Sequence, residues 1–114
     1  MDSSPEDRLD VILRIYETAR DQLDADIAEA SSDAEAKAIR SNLEQLKLNY
    51  LRAERASLEA NGAAVEAAYQ AANTAAENVA KAYQQGKALA DRIRAVAGAV
   101  TAVTNLVANA AAVA

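Results

Sequence analysis

Residues 32–60 read SDAEAKAIRSNLEQLKLNYLRAERASLEA, and this stretch decides the fold class. Ser32 followed three residues later by Glu35 is the signature of a capping box at the start of a helix. Small or apolar residues then recur at alternating steps of three and four, which is the spacing of one helix face. They are Ala36, Ile39, Leu43, Leu46, Tyr50, Ala53, Ser57 and Ala60. The stretch predicts a helix over about 33–60.

Three further leucines of this helix, Leu48, Leu51 and Leu58, lie off that stripe on a second face. A helix with one neighbour normally carries a single apolar stripe and a polar remainder. The second apolar face therefore predicts that this helix contacts two neighbours.

The preceding residues predict a first helix over about 5–30. Ser4 is a suitable N-cap, Pro5 suits the first helical position, and the acids that follow favour the positive end of the helix dipole. An apolar stripe runs along the helix at Leu9, Ile12, Tyr16, Ala19, Leu23, Ile27 and Ala30. Because only a short turn around Ser31 and Ser32 separates the two helices, we expect an antiparallel hairpin.

The rest of the chain predicts a long alanine-rich helix over about 63–113. Asn61 and Gly62 favour a break before it, although the apolar register nearly continues through them and a continuous helix stays an alternative. A kink or break at Gly86 is a second open point. The predicted fold class is all-α: an antiparallel helical hairpin plus a long C-terminal helix, as a three- or four-helix bundle or coiled coil. We expect a single helical domain over 1–114.

Residues 95–114 carry no charged side chain and follow the bases Arg92 and Arg94. A helix of this length spans roughly 30 Å, the thickness of the hydrocarbon core of a bilayer. Alanine is nearly neutral for insertion, however, and Asn105 and Asn109 oppose it. We expect this segment to pack against other helices. The alternatives are that this segment inserts in a membrane or that the sequence is a piece of a longer chain.

The composition favours association. Hydrophobic residues make up 52% of the 114 residues, but alanine supplies more than half of them, and Phe and Trp are absent. Large aliphatic side chains are therefore few for a chain that must bury a core alone. We expect a homo-oligomer or a complex with a larger protein partner.

The largest side chains on the predicted stripes are the candidate interaction residues. Tyrosine suits such positions because its ring can be buried while its hydroxyl reaches the edge of the contact. The candidates are Ile39, Leu43, Leu46, Tyr50, Tyr69, Tyr83, Val96, Val100, Val103 and Val107.

The residue types argue against an enzyme. Histidine and cysteine are both absent, which removes the usual base of a nucleophilic triad, the histidine ligands of helical di-iron sites, and thiolate chemistry. Three isolated glycines make no phosphate-binding loop. We expect the acids near Asp24 and Asp26 and the bases near Arg92 to be solvated. No catalytic, cofactor-binding or metal-binding residue and no cofactor is expected.

Charge is distributed unevenly within a net charge of −5. Acids dominate residues 1–35, and bases slightly exceed acids in residues 36–60, a pattern that favours an antiparallel hairpin. Without a basic stripe, nucleic acid is not an expected partner. The acidic N-terminus is not a signal-peptide pattern, so we expect cytoplasmic synthesis. The final location, including a virion or a membrane surface, stays open.

These features favour a non-enzymatic helical protein that acts by self-association or by packing on a larger partner. The alternative is a membrane-active protein, pore-forming or similar to a phage ejection protein, whose segment 95–114 inserts in a bilayer. In general composition the chain is similar to phage ejection proteins, granule-coating phasins and helical pore-forming subunits. This similarity implies no role for any particular residue.

Overall fold

A computed structural model describes residues 3–111, which form four α-helices and no strand within that range. The helices are α1 (Pro5–Glu29), α2 (Asp33–Ala56), α3 (Ala63–Gln84) and α4 (Leu89–Ala110). The all-α prediction is confirmed. Breaks occur both at Gly62 and at Gly86, so the continuous helix over 63–113 does not form. Residues 112 and 113 of that predicted helix lie outside the described residues.

The helices pack as two antiparallel hairpins side by side. α1 pairs with α2 and α3 with α4, while α2 also packs along α4 and α1 along α3. α1 and α4 touch across the short diagonal, whereas α2 and α3 make no contact in the described part of the chain. The radius of gyration is 14.1 Å, close to the roughly 13 Å expected of a compact chain of this length.

Local hydrogen bonds set the starts of the first two helices. Ser4 Oγ accepts from the Asp7 N–H, and the Asp7 carboxylate accepts from the Ser4 N–H, each at 3.0 Å. Ser32 Oγ accepts from the Glu35 N–H at 3.2 Å. The Glu35 carboxylate turns to Ser31 instead, whose hydroxyl and N–H both donate to it and lower the pKa of Glu35. The predicted capping residues therefore act as caps. At the start of α2, Ser31 rather than the N-cap Ser32 donates its backbone N–H to the Glu35 carboxylate.

α2 ends at Ala56, earlier than the predicted residue 60. Ser57 has a φ of 52°, in the left-handed region through which a helix of L-residues does not continue. Leu58 then turns into the core and is only 2% exposed. The Ala60 N–H donates to the carbonyl of Ala110 at 3.0 Å. The connection thus crosses the end of the bundle and closes it.

α3 ends at a Schellman motif, and this motif makes the second break. Gly86 has a φ of 61°. The Lys87 N–H donates to the Ala82 carbonyl and the Gly86 N–H to the Tyr83 carbonyl, which is the pair of bonds that defines this helix end. Glycine at the left-handed position lets the chain reverse into α4.

The core consists of aliphatic side chains from every helix, with alanine at the closest approaches. Ile12, Leu46 and Val103 are completely buried, and so are Ala72 of α3 and Ala99 of α4. Such small side chains let neighbouring helix axes approach closely. Every buried side-chain nitrogen or oxygen between residues 3 and 111 has a hydrogen-bond partner. The four helices therefore form a hydrophobic core within a single chain.

Candidate interaction surface

The ten predicted interaction residues lie in or against the core of the chain itself. Five of them are buried: Ile39, Leu46, Val96, Val103 and Val107. The other five are partly buried against that core: Leu43, Tyr50, Tyr69, Tyr83 and Val100. They hold the bundle together, and contact between them and a second chain stays a prediction.

Two leucines of α2 face outward. Leu48 is 45% and Leu51 is 40% exposed, and in residues 3–111 they are the exposed large hydrophobic side chains. Their spacing of three places them side by side on the helix surface, roughly opposite the buried Leu46. They are two of the three leucines of the predicted second apolar face; the third, Leu58, is instead buried in the α2–α3 connection. The described part of the chain supplies no neighbour to cover them.

Charged side chains flank the two leucines, and bases outnumber acids among them. The exposed bases of α2 are Lys37, Arg40, Lys47, Arg52 and Arg55. None of them takes part in an ion pair within the described range. Glu44 and Glu54 are the exposed acids of the same helix beyond its first turn. We call Leu48, Leu51 and these five bases the leucine face.

A stacked tyrosine pair fixes α2 against α1. The ring centroids of Tyr16 and Tyr50 are 5.8 Å apart with an interplanar angle of 22°. The Arg20 guanidinium lies 5.7 Å from the centroid of the Tyr16 ring, within the range of a cation–π contact. Burial raises the pKa of Tyr50, and the nearby Glu54 and Glu17 raise it further. The stacking sets the lengthwise register of the two helices, so it also orients the leucine face.

A buried ion-pair cluster closes one end of the bundle. Arg92 Nη1 donates to Asp26 Oδ1 at 2.7 Å, and Nη2 donates to Glu29. The Tyr83 hydroxyl also donates to Asp26, and burial together with that carboxylate raises the pKa of Tyr83 well above its usual range. Asp26 and Arg92 are 4% and 8% exposed. The expectation that both are solvated is therefore wrong.

Arg8 makes a second cluster at the opposite end. It is completely buried. Its Nη1 donates to the carbonyls of Leu58 and Ala60 at 2.7 and 2.9 Å, and its Nη2 to the Glu66 carboxylate at 3.1 Å. The N–H and hydroxyl of Ser3 also donate to Glu66, and together with Arg8 they lower its pKa. Arg8 thereby joins α1 to α3 and to the α2–α3 connection.

One sequence signal could have revealed both clusters. Arg8 lies one helical turn before Ile12, and Arg92 lies one turn before Val96, so both arginines occupy positions of the apolar stripes. Asp26 likewise continues the stripe two turns after Ala19. A charged residue on a stripe is buried with its neighbours, and it requires an opposite charge on a facing stripe.

Neither cluster has the space of a substrate site. The cavity beside Asp26, Asn42 and Tyr83 has a volume of ≈ 10 Å³, which is room for about one water molecule. A groove of ≈ 430 Å³ between α1 and α3 is open to solvent and is lined by polar side chains such as Arg14, Gln70 and Asn73 together with aliphatic ones. No group of three acidic side chains in residues 3–111 is placed to hold a metal ion. The clusters therefore have a structural role in joining the helices.

α4 is the one helix of the described chain that is long and apolar enough to cross a membrane, by length and composition alone. The core helix of a soluble protein passes the same test. Val96, Val103 and Leu106 of α4 point into the core, whereas its outward side exposes small uncharged residues such as Ala97 and Thr101. The large side chains of α4 are therefore at least partly covered within the bundle.

The exposed surface of α2 thus remains as the candidate site. It combines two uncovered leucines with bases that have no ion-pair partner in the range 3–111. Exposed apolar groups rimmed by charged residues are typical of protein interaction sites. No family model, no curated protein and no solved structure matches this chain.

Proposed function

We propose that this chain is a non-enzymatic helical interaction protein that acts by self-association or by packing on a larger partner. The proposal places the contact on the leucine face of α2. One observation carries it: Leu48 and Leu51 stay 45% and 40% exposed, whereas the other large aliphatic side chains of residues 3–111 are at least partly buried. A partner helix or surface that covers the two leucines would complete the burial of α2.

The residue types support a binding role rather than catalysis. The chain has no histidine and no cysteine, which are the commonest general base and thiol nucleophile of enzymes. Its two buried arginines make hydrogen bonds to the protein's own carbonyls and carboxylates. The buried charged groups therefore hold the helices together. The bases of α2, which have no ion-pair partner in residues 3–111, lie on the surface.

The size of the expected effect follows from the exposed area. Full burial of a leucine is worth about 1.5–3 kcal/mol, and slightly less than half of each side chain is still exposed. The pair contributes about 2 kcal/mol on docking, which corresponds to about a 30-fold change in affinity. The leucines therefore anchor a contact of moderate strength, and the surrounding charges select the partner.

Site-specific photo-crosslinking tests this proposal. A benzophenone amino acid at position 48 should form a covalent adduct with whatever protein covers the leucine face in the native cell, including another copy of the chain. The same amino acid at position 71 is the control, because Ala71 is exposed on α3, away from this face. Adducts of equal yield from both positions, or none from position 48, would contradict the proposal.

A membrane-active role is a second candidate, and the length and apolar composition of α4 favour it. Insertion would require the bundle to open, because Val103 and Leu106 are completely buried. The variant Val103→Asp separates the two functions. A packing helix loses stability when an unpaired charge is buried, whereas a membrane helix leaves a folded soluble core that no longer binds liposomes. We expect the first outcome, measured by circular dichroism and liposome flotation.

A further inference from the structure

We propose that the partner covering the leucine face is a second copy of this chain, and that the second copy contributes the outward side of its α1. In this dimer the α1 of each protomer lies along the α2 of the other, around one two-fold axis. The inference rests on the proposed function and names the occupant of that surface.

The outward side of α1 has the opposite charge to the leucine face. Steps of three, four and seven along a helix keep residues on one side. The acids that recur at this spacing are Glu6, Asp10, Glu17, Asp21 and Asp24. All except the partly buried Glu17 are exposed. The chain therefore carries an acidic strip on one helix and a basic strip on the next.

These two strips do not neutralise each other inside the protomer. Across the described residues no ion pair joins α1 to α2; Arg20 of α1 pairs only with Glu17 and Asp21 of its own helix. The antiparallel hairpin of α1 and α2 therefore forms without a direct ion pair between the two helices in residues 3–111. Asp10, Asp24 and the bases of α2 remain free to pair with another molecule.

The geometry of the hairpin allows a symmetric contact. α1 and α2 are antiparallel neighbours, and their outward sides share the surface of the bundle that faces away from α3 and α4. A two-fold axis parallel to the helices would lay each acidic strip over the partner's basic strip. Such a closed arrangement uses the same patch on both protomers, as in most homodimers.

The lengthwise register also matches. Tyr16 stacks on Tyr50, so residues before Tyr16 lie level with residues after Tyr50. Asp10 therefore lies near the level of Arg55, and Asp24 near the level of Arg40. A two-fold axis parallel to the helices leaves the position of each residue along the helix axis unchanged. Asp10 and Asp24 therefore each lie at the level of a base of the partner.

The same charges argue against other occupants. A contact between two copies of α2 would bring the leucines together but set the excess positive charge of one α2 against that of the other, and like charges at close range oppose binding. An anionic membrane would attract α2, but the acidic strip on the adjacent α1 would repel it, as would the net charge of −5. Among these surfaces, α1 of a second copy is the one whose charges complement the bases around the two leucines.

Reciprocal charge reversal tests the dimer. One variant carries Asp10→Lys and Asp24→Lys on α1, and the other carries Arg40→Glu and Arg55→Glu on α2. All four positions are exposed and free of ion pairs within residues 3–111, so both variants should keep the circular dichroism spectrum of the native chain. In sedimentation velocity at low salt, we expect the native chain to dimerise and each variant alone to bind itself at least tenfold more weakly.

The decisive sample is an equimolar mixture of the two variants. In the proposed arrangement every α1 then meets an α2 of opposite charge, so the mixture should dimerise as the native chain does. A native chain that stays monomeric over a hundredfold range of concentration overturns the dimer, as does an α1 variant that dimerises normally. Preferential binding of the native chain to phosphatidylglycerol vesicles through α2 also overturns it. If an adduct at position 48 with a different protein accompanies a monomeric chain, the proposed function survives and the dimer does not.

Discussion

At the scale of single residues, Arg8 and Arg92 connect helices that otherwise meet mainly through aliphatic side chains and alanine. Each lies in the first turns of its helix and donates to groups from other elements at one end of the bundle. A buried guanidinium with several acceptors is stabilising only while all of its partners are in place. The two arginines should therefore be among the positions least tolerant of truncation.

Replacement of Arg8 by alanine should lower the free energy of unfolding by about 3–5 kcal/mol, because it removes the side-chain donor of the Leu58 and Ala60 carbonyls and the cation beside Glu66, which keeps only its hydrogen bonds from Ser3. Urea unfolding followed by circular dichroism measures the change. The matched control is Arg20→Ala, an exposed arginine on the same helix, for which about 0.5 kcal/mol or less is expected. Similar losses for both variants would show that the Arg8 contacts contribute little.

Glu66 should make the stability depend on pH below its ordinary pKa of 4.5. Hydrogen bonds from Ser3 and the contact with Arg8 lower the pKa of Glu66 in the folded protein. The resulting stability is fully present above pH 4.5 and is lost as the pH falls through the folded pKa. As the pH falls below 4.5, the Tm of the native chain should fall more steeply than the Tm of Glu66→Gln. A Tm of Glu66→Gln that falls as steeply with pH as that of the native chain would contradict this assignment.

At the scale of the helices, caps and glycine conformations decide where each element ends. Gly86 and Gly98 show the contrast, because a Cβ would find open space at both positions. Gly86 has a positive φ and Gly98 lies inside α4. Any difference between the effects of alanine at the two sites therefore comes from backbone conformation.

We expect Gly86→Ala to destabilise the bundle by about 1–2 kcal/mol, because an L-residue in the left-handed region is strained. Gly98→Ala should stabilise it by about 0.5–1 kcal/mol, because alanine is the better helix former. Chemical denaturation of the two single variants gives both values. Changes of the same sign would show that the break at Gly86 is not set by its φ.

The starts of α1 and α2 could be predicted from the sequence because a cap is a local feature of a few residues, as at Ser4 and Ser32. The ends were harder, since they depend on contacts made elsewhere. α2 stops at Ala56 because Leu58 is drawn into the core and its carbonyl accepts from Arg8. The apolar spacing across Gly86 is compatible with either one helix or two, and the Schellman bonds decide between them.

At the scale of the whole molecule, the sequence predicted the helical core but not the surface that remains for a partner. The stripe residues Leu46 and Val103 are completely buried within one chain, and their contact with a second chain stays a prediction. Leu48 and Leu51 were recognised as a second apolar face, yet only the packed bundle shows that α1 and α4 leave this face uncovered. Which face stays open depends on how all helices pack, and no single stripe contains that information.

Thermal unfolding at two protein concentrations tests contact through the leucine face most directly. If the folded chain associates, mass action should raise the Tm of the native chain with concentration. The variant with Leu48→Gln and Leu51→Gln should keep its helical signal, because both positions are exposed, and its Tm should not depend on concentration. A native Tm that is the same over a hundredfold range of concentration, or a variant that shifts as much as the native chain, would contradict self-association through this face.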